Sequence, residues 1–390
     1  MRLAHRLALA TAVATAVLIV FGGLVTNTGA ALAVPDWPNT FGHNLFLYPW
    51  SGMIGGVFYE HSHRLLGAAV GLLTVALAAA LWRRGPALRV LGLIAVATVI
   101  AQGVLGGLRV VLLRDELALV HGPLAQAFFA LITTLAYLTS PAATIPASVD
   151  GGLRRLAIAG AALIYAQIVL GALLTHAGWL WLHVGGAFAV FAVLPVLTAR
   201  ARRAGDAIAA PLSRVLLALL GLQLALGVGA YLARFSPLWI PGEQATMLIL
   251  PVAHRLVGGL ILAGTVVLAV RLNADSIAGV VGLARDTADI ARRDDVRFQR
   301  ESVKISRRDG VPFQRERGGM GEAADVRLQR ESVKISRRDG VPFQRERGGM
   351  GEAADVRFPR ESVKISRRDG VPFQRERGGM GEAEGVPHSK

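Results

Sequence analysis

Tyr59-Glu60-His61-Ser62-His63-Arg64-Leu65-Leu66-Gly67 sets a carboxylate, two imidazoles and a guanidinium at the mouth of an apolar run. Ionisable groups are costly in hydrocarbon, so within a membrane-spanning segment they mark a functional site. The core of the motif returns as His254-Arg255-Leu256-Val257-Gly258, at the head of the last apolar run. His121 and His183 head two of the runs between them.

The composition around these motifs belongs to a membrane chain. Of 390 residues 53% are hydrophobic, mean hydropathy is +0.47, and the formal net charge is +15. Such apolarity with so many basic residues does not suit a soluble domain. The charge is unevenly placed. Residues 1–282 hold only 17 of the 42 Lys and Arg and 8 of the 27 Asp and Glu, so an apolar body carries a polar tail. The chain has no cysteine, which excludes disulfides, thiolate nucleophiles and cysteine-ligated metals.

Eight runs of the length a bilayer demands lie near 7–26, 63–82, 88–109, 119–139, 155–175, 179–199, 211–233 and 248–271. Helices are the expected form, because lipid offers backbone groups no partners. Alternating segments of about ten residues, as a β-barrel needs, are not seen. Ala31-Leu32-Ala33 imitates a signal-peptide cleavage site, but the first run is long enough to span and is read as a retained helix. The loops assign the sides. Twelve arginines (2, 6, 83, 84, 89, 154, 155, 200, 202, 203, 214 and 271) fall on one side, which predicts that both termini are cytoplasmic. Loop 27–60 contains no Lys or Arg and is expected outside. Even-numbered helices then run inward, and His63, His121, His183 and His254 all sit at similar depth near the outer leaflet.

The halves resemble each other. Phe21-Gly22-Gly23-Leu24-Val25-Thr26 aligns with Leu170-Gly171-Ala172-Leu173-Leu174-Thr175, and Gln102-x-x-x-Gly106 with Gln223-x-x-x-Gly227. The expected fold is an all-α integral membrane protein of eight transmembrane helices in two pseudo-repeated four-helix bundles. The halves are 1–139 and 140–272, and four helices between copies keep the repeat parallel. Residues 273–390 form a polar tail with three copies of a 30-residue repeat, seen as Glu-Ser-Val-Lys-Ile-Ser-Arg-Arg-Asp-Gly from Glu301, Glu331 and Glu361. Each copy has little to bury, so the tail is expected to be disordered and cytoplasmic, with contact to anionic lipid as its functional alternative.

Neutral imidazole is a common iron ligand, and an axial ligand sets haem reactivity. Two histidines on facing helices at one depth can clamp a planar macrocycle in a bundle core. The four histidines therefore predict two haem sites. Gly67 and Gly258, one turn on, allow a flat ring or helix to approach. Arg64 and Arg255 suit haem propionates. Glu60 lies three residues before His63 and shares its face if the helix begins that early. A carboxylate there can move protons, or it is simply an interfacial acid at a helix N-terminus. Val252 and Ala253 occupy the matching stretch of the second half. Chemistry is therefore expected in the first half and cofactor binding in the second. His176 rivals His183 as a ligand, but the depth of His183 matches the other three. His61 and His43 read as loop histidines. The aromatic, proline-rich loop 27–60 is expected to cap the first pair.

Gly22-Gly23-Leu24-Val25-Thr26-Asn27-Thr28-Gly29, Val34–Pro38, Phe58–Arg64, His121-Gly122-x-x-Ala125-Gln126 and His254-Arg255 together resemble the haem A synthase family over about 1–272. The resemblance implies an oxidoreductase acting on a CH group, converting a methyl of haem O to a formyl to give haem A for cytochrome oxidase. It implies that His63 and His121 bracket the substrate haem with Glu60 assisting. His183 and His254 would hold haem B, with Arg64 and Arg255 binding cofactor and all four histidines on haem iron. Haem O synthase, cytochrome oxidase subunits and membrane lipid are the implied partners, nucleic acid is not, and the bacterial inner membrane is the implied location. Spacing alone reaches a di-haem membrane protein; the methyl oxidation comes from the resemblance. A di-haem b-type electron carrier and a haem transporter or chaperone are the alternatives.

Overall fold

The computed structural model describes residues 2–145, 150–236 and 242–273, the side chain of Glu243 excepted. The repeats of the tail lie outside the described residues. Within them the regular structure is helical: α1 (Arg2–Asn27), α2 (Gly56–Leu81), α3 (Pro86–Val111), α4 (Ala118–Leu138), α5 (Gly151–Ala177), α6 (Leu180–Arg203), α7 (Ala209–Phe235) and α8 (Glu243–Leu272), with short 3₁₀ turns in three loops. Even α4, the shortest at 21 residues, is about 30 Å long. All eight are long and apolar enough to cross a membrane. Their outer faces show large apolar side chains such as Leu72, Ile100 and Phe188, as a lipid-facing surface requires. The chain is an integral membrane protein.

The eight helices match the eight predicted runs. The largest difference is at α2, which begins seven residues before its predicted start and takes in Tyr59 to Ser62. Hydropathy loses that turn because it is polar. The helix persists because Gly55, at φ +55°, turns the chain sharply into it. Threonine hydroxyls inside the spans bond back to the carbonyl four residues earlier, as in Thr11 to Leu7, Thr74 to Val70 and Thr134 to Ala130. That leaves no hydroxyl of these residues unpaired in hydrocarbon.

Helices α1 to α4 close one bundle, each packing on its neighbours with α1 against α4. Helices α5 to α8 close a second in the same way, and α8 meets α1 and α4 across the seam. Two apolar cores follow: Val70, Leu77, Phe128 and Ile132 in the first, Leu194, Leu197, Leu216 and Leu268 in the second. The second core also takes Ile19 of α1 and Phe129 of α4, so the bundles share a dry seam.

At the arginine-rich end one ion pair ties the seam together. The Arg271 side chain of α8 is fully buried and donates through Nε and Nη2 to Asp206 in the α6–α7 loop, the shorter contact 2.6 Å. It also donates to the carbonyl of Ile145, beyond α4, and bonds Tyr137 of α4. Asp206 in turn accepts from the N–H groups of Ile208 and Ala209, capping α7. Burial works to raise the Asp206 carboxyl, but Arg271 and the two N–H groups outweigh it and hold it below the usual carboxylate range. Breaking a buried pair leaves an uncompensated charge, so Arg271→Ala should cost about 3–5 kcal/mol, read as a fall in melting temperature in detergent. Because the folded value is lowered, the contribution of Asp206 should be complete above about pH 4 and lost as pH falls through the folded value. Asp206→Asn should flatten that acid limb of the melting profile.

Candidate functional site

The four histidines fall on α2, α4, α6 and α8, and the fold brings them together in pairs. His63 meets His121 with ring centres 6.4 Å apart and planes at 66°. His183 meets His254 at 6.2 Å and 70°. One pair belongs to each bundle, in near-identical geometry. His176 is exposed in the last turn of α5, and His183 is the ring opposite His254.

Each ring is seated on a glycine of the preceding helix. A Cβ on Gly22, Gly106, Gly171 or Gly227 would come 3.1, 3.6, 3.3 or 2.9 Å from Cε1 of His63, His121, His183 or His254 respectively. The same ring edge faces the glycine in all four hairpins, α1–α2, α3–α4, α5–α6 and α7–α8. The two motif matches that relate the halves thus belong to one device used four times. The glycines expected to admit a close neighbour, Gly67 and Gly258, behave differently. A Cβ on Gly67 would meet nothing within 4 Å, leaving open space one turn from His63, whereas Gly258 faces the Gln223 amide.

The pairs fit haem iron on two grounds. Two imidazole nitrogens each about 2 Å from one metal atom set their ring centres about 6 Å apart, which both pairs match. Among the described residues no cluster of three or more metal-ligating side chains occurs. A bare ion would therefore be short of ligands, whereas iron in a macrocycle needs only axial ones from the protein.

Among the described residues, only the first pair has a built roof. Both carboxylate oxygens of Glu60 are engaged, one by the Val34 N–H at 3.0 Å and the other by Arg64 at 2.7 Å. Arg64 also donates to the carbonyls of Val34, Asp36 and Asn39. Its guanidinium is thus committed to the loop, a use its expected propionate role did not foresee. The Asp36 carboxylate accepts from the N–H groups of Phe41 and Gly42. Burial favours raising it, but those N–H groups and Arg64 keep it below its usual range. His61 corrects its reading as a loop histidine: it lies on α2, is 1% exposed, and bonds Thr40 at 2.9 Å while packing on Tyr48. His43 does belong to the loop, in a short bridge with Thr40. Trp37 packs on Gly107, next to the glycine that seats His121. The loop is therefore pinned to α2, which bears His63, and to α3, which seats His121. The α5–α6 connection at the matching place in the second bundle is the tight turn Gly178-Trp179.

Arg255 is set differently from Arg64. Its guanidinium reaches Gly23 of α1 and makes no hydrogen bond or ion pair with another described residue. The residues that sequence reasoning missed are glutamines. Gln102 donates to the His121 carbonyl, Gln167 to the His183 carbonyl, and Gln223 meets the His254 ring. A third copy of Gln-x-x-x-Gly, at Gln167 and Gly171, was the available signal.

Comparison with known proteins agrees with the geometry. Residues 55–180 match the family of cytochrome oxidase assembly proteins, a stretch that holds Glu60, His63, Arg64 and His121. A protein of Shouchella clausii named "Heme A synthase" is 32% identical over 180 residues, 44% of this chain and 58% of its own length. One of Halalkalibacterium halodurans with the same name is 31% identical over 177 residues, 43% and 57% respectively. Over that stretch the chain is similar to proteins that carry the haem A synthase name. It spans somewhat under three fifths of the length of the curated relatives it matches.

The seating distances order the four glycines. Alanine at Gly227 should push His254 aside, whereas alanine at Gly106 should be accommodated. We expect Gly227→Ala to lose at least half of one haem per chain and Gly106→Ala to keep full content, read by a pyridine haemochromogen assay. Equal loss from both variants would refute the seating.

Proposed function

We propose that this protein is a haem A synthase, oxidising a methyl group of haem O to the formyl group of haem A. The observation that carries the reading is the pairing itself: two histidine pairs of one geometry, one under a pinned roof and one not. Relatives that bear the synthase name support it. On this reading His63 and His121 hold the substrate haem O, while His183 and His254 hold a resident haem B. When bound, the resident haem supplies one-electron redox chemistry that no side chain of this cysteine-free chain offers. Arg255, a guanidinium without a hydrogen-bond acceptor among the described residues, is assigned to a haem carboxylate.

Glu60 is the carboxylate placed for proton handling, since it shares the first turns of α2 with His63. Val34 and Arg64 hold it still, and they also keep the roof closed over the reacting edge. Excluding water there prevents a reactive centre from being discharged by solvent. The loop side of the bundle is assigned to the outside of a bacterial inner membrane and both termini to the cytoplasm, following the arginine distribution. Haem O synthase is the expected supplier and cytochrome oxidase the expected consumer. The tail at 273–390 is assigned to the cytoplasmic side with the termini.

Extraction and chromatography of haems from the full chain, expressed with a source of haem O, tests the reading. Haem A or a hydroxylated precursor is expected, and should vanish in His63→Ala while haem B remains. Haem B alone, with haem O untouched, would make the protein an electron carrier. Glu60→Gln should keep both haems and lower product formation at least tenfold, within the range a positioned acid–base group supplies. Undiminished product in that variant would remove Glu60 from the chemistry.

A further inference from the structure

We propose that the residue four positions before each seating glycine sets how firmly its histidine is held, and that Leu18 in that place makes His63 the ligand built to let go. The inference rests on the assignment of both pairs to haem iron. The positions are Leu18 before Gly22, Gln102 before Gly106, Gln167 before Gly171 and Gln223 before Gly227. A separation of four places each beside its glycine on one helix face, toward the histidine of the next helix.

The contacts rise in steps through the chain. The apolar Leu18 offers the His63 ring its backbone carbonyl and can make no side-chain hydrogen bond to it. Gln102 offers the His121 ring its carbonyl as well, and its amide adds a 3.0 Å bond to the His121 carbonyl. Gln167 donates to the His183 carbonyl at 2.8 Å and lies 3.2 Å from its Nδ1. For His254 both ring nitrogens are engaged: Nδ1 at 3.2 Å from the Gln223 carbonyl, and Nε2 at 3.2 Å from the Gln223 amide. A carbonyl only accepts, so the Nδ1 of His254 must donate. That fixes the lone pair on Nε2, the tautomer a metal needs. All four rings thus meet the carbonyl of that residue, and His63 alone has no side-chain amide beside it.

The glutamines also hold an unused acceptor. Oε1 of Gln102, Gln167 and Gln223 is buried without a partner. An orphaned acceptor in an apolar site is costly, and turning the amide would make it a second acceptor for the ring N–H that the carbonyl of the same glutamine already receives. Leu18 offers no such second acceptor. Outer partners of this kind are worth about 10–100-fold in metal affinity. A site that must admit one haem and release another gains by lacking them, while a resident cofactor is kept by them. Gln102, Gln167 and Gln223 are positioning residues in this account, acting through the histidines they touch.

Transfer of haem from the loaded full-length protein to excess apomyoglobin provides the test. The wild type is expected to release haem in a fast and a slow phase, with His63→Ala removing the fast one. Leu18→Gln should slow the fast phase about tenfold or more, and Leu18→Met, of similar size without an amide, should leave it unchanged. Gln223→Leu should speed the slow phase about 10–100-fold, whereas Gln223→Glu, which restores an acceptor, should recover most of the retention. Haem stoichiometry before transfer confirms that each variant is folded and loaded. If Leu18→Gln behaves as Leu18→Met, or Gln223→Leu leaves the slow phase alone, the proposed tethering is wrong although the haem assignment stands. A wild-type chain that takes up no haem would sink the assignment and this inference together.

Discussion

The arrangement depends on the close approach of each imidazole to a neighbouring helix. Glycine allows it, most tightly at Gly227, then at Gly22 and Gly171, while Gly106 leaves room for a Cβ. Each contact sets the level of one histidine, and the hairpin carrying it sets the direction. Two hairpins facing each other then bring two rings to about 6 Å without any further device. The apolar cores lie below the pairs and are packed independently of them. This is why a chain whose buried residues are mostly alanine, valine and leucine can still hold a polar site at one defined depth.

The two ends of the bundle are closed by opposite charges, for different purposes. At the arginine-rich end Arg271 and Asp206 sit with nearly all their surface buried and link α8 to the loops after α4 and α6. That pair stabilises the seam and leaves the histidines untouched. At the other end Glu60 and Arg64 form an ion pair one helical turn apart on α2, and their remaining capacity goes to the loop. The second pair belongs to the site: it fixes the roof to the helix that bears His63. Equivalent groups on α8 are absent, since Val252 and Ala253 precede His254 and Arg255 turns toward Gly23 of α1. Among the described residues, only the first half carries such a roof.

Much of this was legible in the sequence. Eight apolar runs, spaced by short polar loops, leave little freedom for anything but eight helices. Once the arginines set the sides, His63, His121, His183 and His254 had to share a level. The pairing follows from the internal match between halves. What the sequence hid was local and three-dimensional. The start of α2 was missed because Tyr59 to Ser62 lowers hydropathy without breaking the helix. His61 looked like a loop residue, yet its ring is buried against Thr40 and Tyr48, contacts 21 and 13 positions away that no periodicity reveals. The seating glycines were not seen because they lie on the preceding helix, not on the one that bears the histidine and Gly67 or Gly258.

The same shift of attention from one helix to its neighbour explains the asymmetry between the sites. Read along α2 and α8 alone, His63-Arg64 and His254-Arg255 are the same motif and predict equal sites. Read across each hairpin, His63 faces Leu18 and His254 faces Gln223, and the equality ends. A leucine and a glutamine differ little in volume, so the exchange leaves the packing of α1 on α2 intact while removing the hydrogen bonds that would tether a ring. A duplicated bundle can therefore diverge in how tightly it holds a flat ligand with little change to its backbone. The substitution lies on a helix that carries no ligand, and its effect is confined to the grip on the one that does.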